Sequence, residues 1–371
     1  MKKSSTVYVG MDVHKESIDI TLAEVEGEVR RFGQIGGDRV AVLKMVRKLV
    51  SSAKELVFVY EAGPCGFWIQ REISALGHRC WVVSPSLVPK RAGDHLKTDR
   101  RDSERLAKLA RAGELTPVHV PDIADEAVRD LVRSREDALI AQRRARQQLK
   151  ALLLRNEIRY VGKTSWTEAH RRWLADLKMP RPAQQIAFEE YIGAIKGATE
   201  RMERITKAIE SEAQGWRFLP VVQAMQAMRG IQFLHAVTLV SELGDLKRFA
   251  SARQLMAYLG LVPRESSSGE QRWQGSITKA GNSHVRRTLI EAAWAYRHPA
   301  RVTRIIAARQ TDLPEQACKI AWDAQVRLCA RYRRLMARHL NHNKIIVALA
   351  RELAGFVWAM GQAISPKGGG A

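Results

Sequence analysis

Three β-rich runs in immediate succession near the start of the chain restrict the fold more than any other feature. Residues 6–12 and 17–24 are separated by a short polar turn, and residues 28–34 read as a third strand of the same meander. After them the pattern alternates. Residues 38–52 have helical spacing through Val42, Leu43, Val46, Leu49 and Val50, and residues 56–60 are a short apolar run ending at Glu61, before the Gly63-Pro64 breaker. A helix through Trp68, Ile69 and Ile73 closes at Gly77. Residues 80–83 then read as a buried strand, and residues 99–112 as a helix stopped by Gly113. Residues 1–120 therefore read as one α/β domain in the ribonuclease-H-like (RuvC-like) order of elements.

The rest of the 371 residues, enough for two or three domains, is helical. Residues 123–158 contain no Pro or Gly, and their apolar positions are sparse and heptad-like: Val128, Leu131, Ala138, Ala145, Leu149 and Leu152. A second run steps by threes and fours through Ile192, Ile195, Thr199, Met202, Thr206 and Ile209, and a breaker region with Gly162, Pro180 and Pro182 divides the two. Residues 121–215 are thus expected to be two long helices packed as a coiled coil. Residues 216–371 read as a helical C-terminal domain. A Ser- and Gly-rich loop over residues 263–281 interrupts it, a helix runs from Asn282 to Tyr296, two more occupy residues 313–364, and a flexible tail follows.

Charge narrows the function. Lys and Arg number 61 against 39 Asp and Glu, a formal net charge of +22. A surplus this large on a folded chain points to a polyanion, and nucleic acid is the first candidate. Cys65, Cys80, Cys318 and Cys329 form no Cys-x-x-Cys pair and have no His at zinc-ligand spacing, which argues against a zinc site or a disulfide framework. The apolar stretch after Lys2 and Lys3 breaks at Asp12, too soon for a signal peptide, and the most membrane-like window, residues 345–364, carries Arg351 and Glu352 near its middle. The expectation is a cytoplasmic protein, associated with the nucleoid when acting, with no membrane partner.

Four carboxylates stand out by position. Asp12 ends the first strand, Glu61 follows the apolar run, and Asp99 and Asp102 share one face at a helix start. Singly each has an ordinary reading, a solvated strand end or a helix cap. As a set in a ribonuclease-H-like sheet they converge on one edge, where clustered carboxylates need a cation; hard oxygen ligands favour Mg²⁺. Two such ions about 4 Å apart would clamp a phosphodiester. A second feature is Ser266-Ser267-Ser268-Gly269 with the segment from Gly275 to Asn282, among Arg264, Arg272, Lys279, Arg286 and Arg287. Such a loop is commonly a flexible connection; beside a helix start and several cations it can also hold a phosphate next to a hydroxyl nucleophile.

The segments from Gly10 to Lys15, from Glu61 to Gly63, from Lys97 to Asp102, and from Ser267 to Asn282 together resemble the DEDD transposases of the insertion sequence 110 family, relatives of the pilin-gene invertases. The likeness runs over nearly the whole chain, in the family's domain order. It implies that Asp12, Glu61, Asp99 and Asp102 are metal ligands and that Ser268, with Ser267 as the alternative, is the nucleophile. It further implies a covalent phosphoserine intermediate, a composite site built from both domains, homodimers and homotetramers, and a structured noncoding guide RNA that pairs with donor and target DNA. The stretch around Gly230 resembles a helix-hairpin-helix, with Arg229 and Gln232 where small residues, Pro or Gly are expected.

Two one-signed runs are further candidates for phosphate contact, with Arg229 beside them: Arg143, Arg144, Arg146, Lys150, Arg155 and Arg159, and then Arg327, Arg331, Arg333, Arg334, Arg338 and Lys344. Trp166, Trp173 and Trp273 are candidates for stacking on unpaired bases, and Trp294 for the core. Three functions compete: a transposase or recombinase that cuts and rejoins DNA, a junction resolvase using metal-activated water, and a nonenzymatic nucleic-acid binder. The serine loop favours the first over the second, and the four acids disfavour the third.

Overall fold

The computed structural model describes residues 4–51, 53–89, 99–268 and 271–368. Lys97, Thr98 and Gly269 lie outside the described residues, as do the side chains of Asp99, Ser266, Ser267, Ser268 and Arg272. The chain divides into two compact units, residues 1–121 and 122–371.

In the first unit, β1 (Ser4–Val13), β2 (Ser17–Glu24) and β3 (Val29–Gly36) form the antiparallel meander. Helix α1 (Arg39–Val50) leads to β4 (Ala53–Glu61), and α2 (Trp68–Ala75) to β5 (Arg79–Val83). The five strands lie in the order β3-β2-β1-β4-β5, with β4 parallel to both β1 and β5. Successive side chains of a strand alternate between faces, and the two cores follow that alternation. Val9 and Met11 of β1 pack with Phe58 and Tyr60 of β4 against Val42, Val46 and Leu49 of α1 and Ile69 and Ile73 of α2. On the other face Tyr8 and Val59 pack with Leu106 and Ala110 of α3 (Asp99–Arg111). The even-numbered positions of β1, Gly10 and Asp12 among them, share that second face.

Gly10 is what lets α3 sit so close. A Cβ there would lie 2.1 Å from the Ser103 carbonyl oxygen and 2.6 Å from the Ala107 amide nitrogen, both backbone atoms of α3 that cannot swing aside. Gly10→Ala must push the helix off the strand, with an expected loss of ~1–3 kcal/mol, the usual cost of overpacking. Urea unfolding of the two proteins checks this; an unchanged midpoint would mean that α3 yields freely.

In the second unit α4 (Ile123–Arg155) and α6 (Pro182–Gly215) run antiparallel. Arg135 Nε donates to Thr206 Oγ1 at 2.8 Å, and Gln142 Nε2 to Thr199 Oγ1 at 2.7 Å. Val128, Val132 and Ile209 close one end of the seam, and Leu149, Leu152 and Phe188 the other. The breaker region between them holds a helix that its composition conceals, α5 (Glu168–Asp176), whose first turn is capped by Thr167. The remaining helices are α7 (Leu219–Met225), α8 (Phe233–Leu243), α9 (Ala252–Tyr258), α10 (Ser283–Ala293), α11 (Arg304–Gln310), α12 (Glu315–Met336) and α13 (His342–Ala363). Helix α13 is long and apolar enough to cross a membrane by length and composition. Half of its most apolar window is buried in the unit's own core, through Ile345, Leu349, Leu353, Val357 and Met360.

The expected loop over residues 263–281 is instead mostly a β-hairpin, β6 (Pro263–Ser268) paired antiparallel with β7 (Gln271–Ile277). Ser and Gly composition suggested a connection. The β-formers Trp273 and Ile277 sit on one strand only, so β6 shows no apolar alternation of its own.

Candidate active site

The parallel register pairs Met11 with Tyr60, so the next residues along the two strands, Asp12 and Glu61, end neighbouring strands side by side. Both lie on the α3 face, and Asp102 sits in the first turn of α3. Arg105, one turn further on, joins two of them: its Nη2 is 3.4 Å from Glu61 Oε1 and 3.3 Å from Asp102 Oδ1. His14 Nε2 lies 3.1 Å from Asp12 Oδ2. Asp12, Glu61 and Asp102 are all partly exposed, a position from which carboxylates can reach a ligand in solution.

Beneath them lies a buried polar network. Asp19, directly opposite Asp12 in the β1–β2 ladder, accepts from Ser103 Oγ at 3.0 Å and from Arg31 Nη2 at 2.5 Å; Thr21 Oγ1 lies 2.9 Å from Ser103 Oγ. Two like charges opposed across a ladder destabilise it, and the Arg31 guanidinium offsets this. Because Ser103 adjoins Asp102, the network also sets the rotation of α3 that presents Asp102. Neither Arg31 nor Arg105 was singled out in the sequence: Asp19 and Glu61 reach them from other strands, and the i,i+3 spacing of Asp102 and Arg105 is ordinary on a helix.

Among the described residues no three His, Cys, Asp or Glu side chains stand close enough together to hold one ion. Arg105 sits between Glu61 and Asp102, where it supplies the countercharge. The donors themselves suit a hard divalent cation, since they are carboxylate oxygens gathered at the ends of two adjacent strands and in the first turn of a helix.

The serine hairpin is built on two crossing points of the chain. Gly260 and Gly281 both have positive φ, +61° and +68°. A Cβ on Gly281 would lie 1.9 Å from the Tyr258 carbonyl oxygen, and one on Gly260 2.3 Å from that of Ala280. Arg286 Nη1 donates to the Leu259 and Ala280 carbonyls, both at 2.9 Å, and so ties the crossing together. Asn282 caps α10 through Val285 N and donates from Nδ2 to Glu242 Oε2 at 2.7 Å. Glu242, itself buried, also takes a two-point bond from Arg133 at 2.7 and 2.9 Å. In the ladder Ser266 pairs with Trp273, Ser267 with Arg272 and Ser268 with Gln271.

The cations proposed for phosphate contact divide into two groups. Arg143, Arg144, Lys279, Arg333 and Arg334 are exposed. Lys150, Arg155, Arg159, Arg338 and Lys344 are exposed as well, whereas the following are engaged within the fold. Arg286 holds the hairpin base, Arg287 pairs with Glu136, and Arg229 Nη1 donates to the Pro299 carbonyl at 2.7 Å. Arg146 lies over the Trp166 ring at 4.6 Å. Arg327 and Arg331 both pair with Glu352, on α13, which a run read along α12 could not reveal. The turn at Gly230 is also closed inward: a Cβ there would lie 2.2 Å from the Ala292 carbonyl oxygen, and Met228 and Ile231 are fully buried. Trp294 packs against the core as expected.

Glu136 has a measurable consequence. Its hydrogen bond from Arg287, helped by one from His284 Nδ1 at 2.5 Å, outweighs partial burial and lowers its pKa from 4.5 to about 2. The folded value lies below the unfolded one. The stabilisation, on the order of 2 kcal/mol, is therefore fully present above about pH 4.5 and is lost as pH falls toward 2. Glu136→Gln should be clearly less stable than the parent at pH 6, and the gap should narrow at pH 3. Denaturant unfolding at the two pH values checks it; a constant gap would show that the charge is not what stabilises.

Two family models match the chain. Residues 9–156 match the model of the insertion sequence 110 DEDD transposase, and residues 222–305 that of the IS116/IS110/IS902 transposase family. The chain is 44% identical over 355 residues to a putative transposase, y4qE, of Sinorhizobium fredii, covering 95% of this chain and 88% of the relative. The chain belongs to the insertion sequence 110 family of transposases. It is 32% identical to the transposase of insertion sequence element IS1533 from Leptospira borgpetersenii, over 90% of this chain and 97% of that one. A probable family 20 transposase of Pseudomonas aeruginosa is 27% identical over 82% and 83% of the two chains. An insertion sequence 110 transposase is an enzyme of DNA transposition, and its DEDD nuclease-like domain points to a divalent metal.

Proposed function

We propose that this transposase cuts and rejoins DNA through a serine nucleophile, Ser268 or, failing that, Ser267, at a phosphodiester held with the help of Asp12, Glu61, Asp99 and Asp102. The observation that carries the reading is the convergence of Asp12, Glu61 and Asp102 on one sheet edge, reached from three separate elements. Two Mg²⁺ ions bound by these acids would supply Lewis-acid stabilisation of the phosphate and favour the ionised hydroxyl. Seryl Oγ attacks phosphorus, an Oγ–P ester forms, and the P–O bond to the leaving sugar oxygen breaks as that oxygen takes up a proton. A second strand's hydroxyl reverses these steps and frees the serine. Bond energy is conserved in the ester, so rejoining needs no nucleotide cofactor.

The same reading takes residues 1–120 as the RuvC-like catalytic domain, residues 121–215 as a coiled-coil insert and residues 216–371 as the C-terminal transposase domain. The protein would assemble as a homodimer or homotetramer, with a structured noncoding RNA that selects donor and target DNA, in the cytoplasm at the nucleoid. Support comes from the antiparallel pairing of α4 and α6 and from the exposed cations Arg143, Arg144, Arg333 and Arg334. The test is to trap the wild-type protein on a nicked suicide substrate and sequence the adduct. A DNA-linked peptide carrying phosphoserine at Ser268 is expected. Cleaved DNA with no attached protein would return the case to a resolvase that uses water.

A further inference from the structure

A groove of about 980 Å³ opens along the serine hairpin of the second unit. Gln274, Gly275 and Ser276 of β7 form one wall, and α9, α12 and α13 the others. Its floor is apolar, with Met256, Leu261, Ile277 and Val347, and its rim is basic. Arg253, Lys344 and Arg351 on that rim are exposed, and none has an ion-pair partner among the described residues. The one acid in the lining, Glu352, is already bound by Arg327 and Arg331. The charge facing the groove is therefore uncompensated.

Trp273 immediately precedes the groove wall along β7 and stands opposite Ser266 in the ladder. It is 62% exposed, unusual for the largest apolar side chain. The ring lies against Gly275: a Cβ on that glycine would meet the indole Cη2 at 2.5 Å, so only glycine lets the ring lie there. An indole held open to solvent, between a serine strand and a basic groove with an apolar floor, matches the chemistry of an unpaired nucleotide chain. Phosphates take the cations and base faces take the aromatic and apolar surface. A duplex hides its base faces and leaves such a floor unused.

We propose that this groove and Trp273 hold an unpaired DNA strand beside the serine segment, with its phosphates on Arg253, Lys344 and Arg351 and one base on the Trp273 indole. This rests on the serine reading for its purpose, though not for its test. The strand held is the one presented for cutting, which is why DNA rather than RNA is the occupant. Full-length Ser268→Ala protein, which binds without reacting, is photocrosslinked to an iododeoxyuridine oligonucleotide, and the crosslinked peptide is mapped. The expected peptide spans residues 271–277 and disappears in Trp273→Ala, whose affinity for the single strand falls about tenfold while Trp273→Phe retains most of it. Arg253→Gln with Arg351→Gln should flatten the slope of log affinity against log salt by about 1.4, two contacts at ~0.7 each. Crosslinks elsewhere, unchanged affinity and slope, or a preference for an RNA oligonucleotide or a duplex at these same residues would each overturn the proposal. A protein–DNA adduct formed by the Ser268→Ala protein itself would overturn the serine reading instead.

Discussion

Asp102→Asn is expected to abolish strand cleavage in Mg²⁺, by at least ~100-fold, the scale on which one preorganised electrostatic group acts in catalysis. Asp12→Asn and Glu61→Gln should do the same. Each substitution keeps the side-chain volume and removes one ionised oxygen ligand, so binding of DNA should persist. Folding should be little affected, because all three side chains are partly exposed and their ion pairs with His14 and Arg105 are of the kind that contributes little to stability. Arg105 makes the comparison sharper. In the wild type it is shared between Glu61 and Asp102, and in either single variant it keeps one partner, so loss of activity with an unchanged melting temperature isolates the lost ligand from a collapsed site. Cleavage of labelled donor DNA, measured beside thermal unfolding, decides the matter. Normal excision by any of the three variants would remove that residue from the metal site.

What sequence could and could not reveal here follows from how each contact is encoded. Strand alternation and breakers are local signals, so the meander, the crossovers and the ends of β1 and β4 were legible. With them came the nearness of Asp12 to Glu61, since neighbouring parallel strands end together. Asp102 followed because a carboxylate in a first helical turn beside that edge has few other directions to face. Arg105 was illegible: an Arg in an acidic and basic helix has many equivalent partners until the strands are in place. The fate of the basic clusters was hidden for the same reason. Arg327 and Arg331 look unopposed along α12 and are neutralised by Glu352 of α13, whereas Arg333 and Arg334, turned by a fraction of a helical turn, remain exposed.

The hairpin shows the opposite failure, where composition misled. Three serines and several glycines read as a loop, yet two of those glycines have structural roles that only the fold discloses. Gly281 permits a crossing within 1.9 Å of a carbonyl oxygen for any added Cβ, and Gly275 seats the indole of Trp273. The Arg cluster flanking the segment read as anion binding, and for Arg286 and Arg287 it proves to be the fastening of the hairpin base and of α10 to α4. The backbone of residues 266–268 is paired in an anchored ladder, a constraint that a tethered loop does not provide. The proposed attack on phosphorus would need that constraint, because misplacement by about 1 Å can cost on the order of 100-fold in rate.

Ser268→Ala should therefore stop strand exchange, by at least ~1,000-fold, and remove any covalent protein–DNA adduct, while DNA and RNA binding persist. The loss is one oxygen in a surface hairpin whose base is held by Gly260, Gly281, Arg286 and Asn282, none of which is touched, so the unit stays folded. The neighbours supply the control. Ser266 pairs with Trp273 two steps down the ladder, and Ser266→Ala should be nearly silent; Ser267→Ala should be intermediate at most. A hydrolytic enzyme would show a different pattern, since water replaces the hydroxyl and all three alanine variants would cut alike. Strand exchange on a donor–target pair, read together with the adduct on a denaturing gel, separates the cases: an adduct that moves to Ser267 shifts the nucleophile by one residue, and full recombination by Ser268→Ala removes serine from the chemistry.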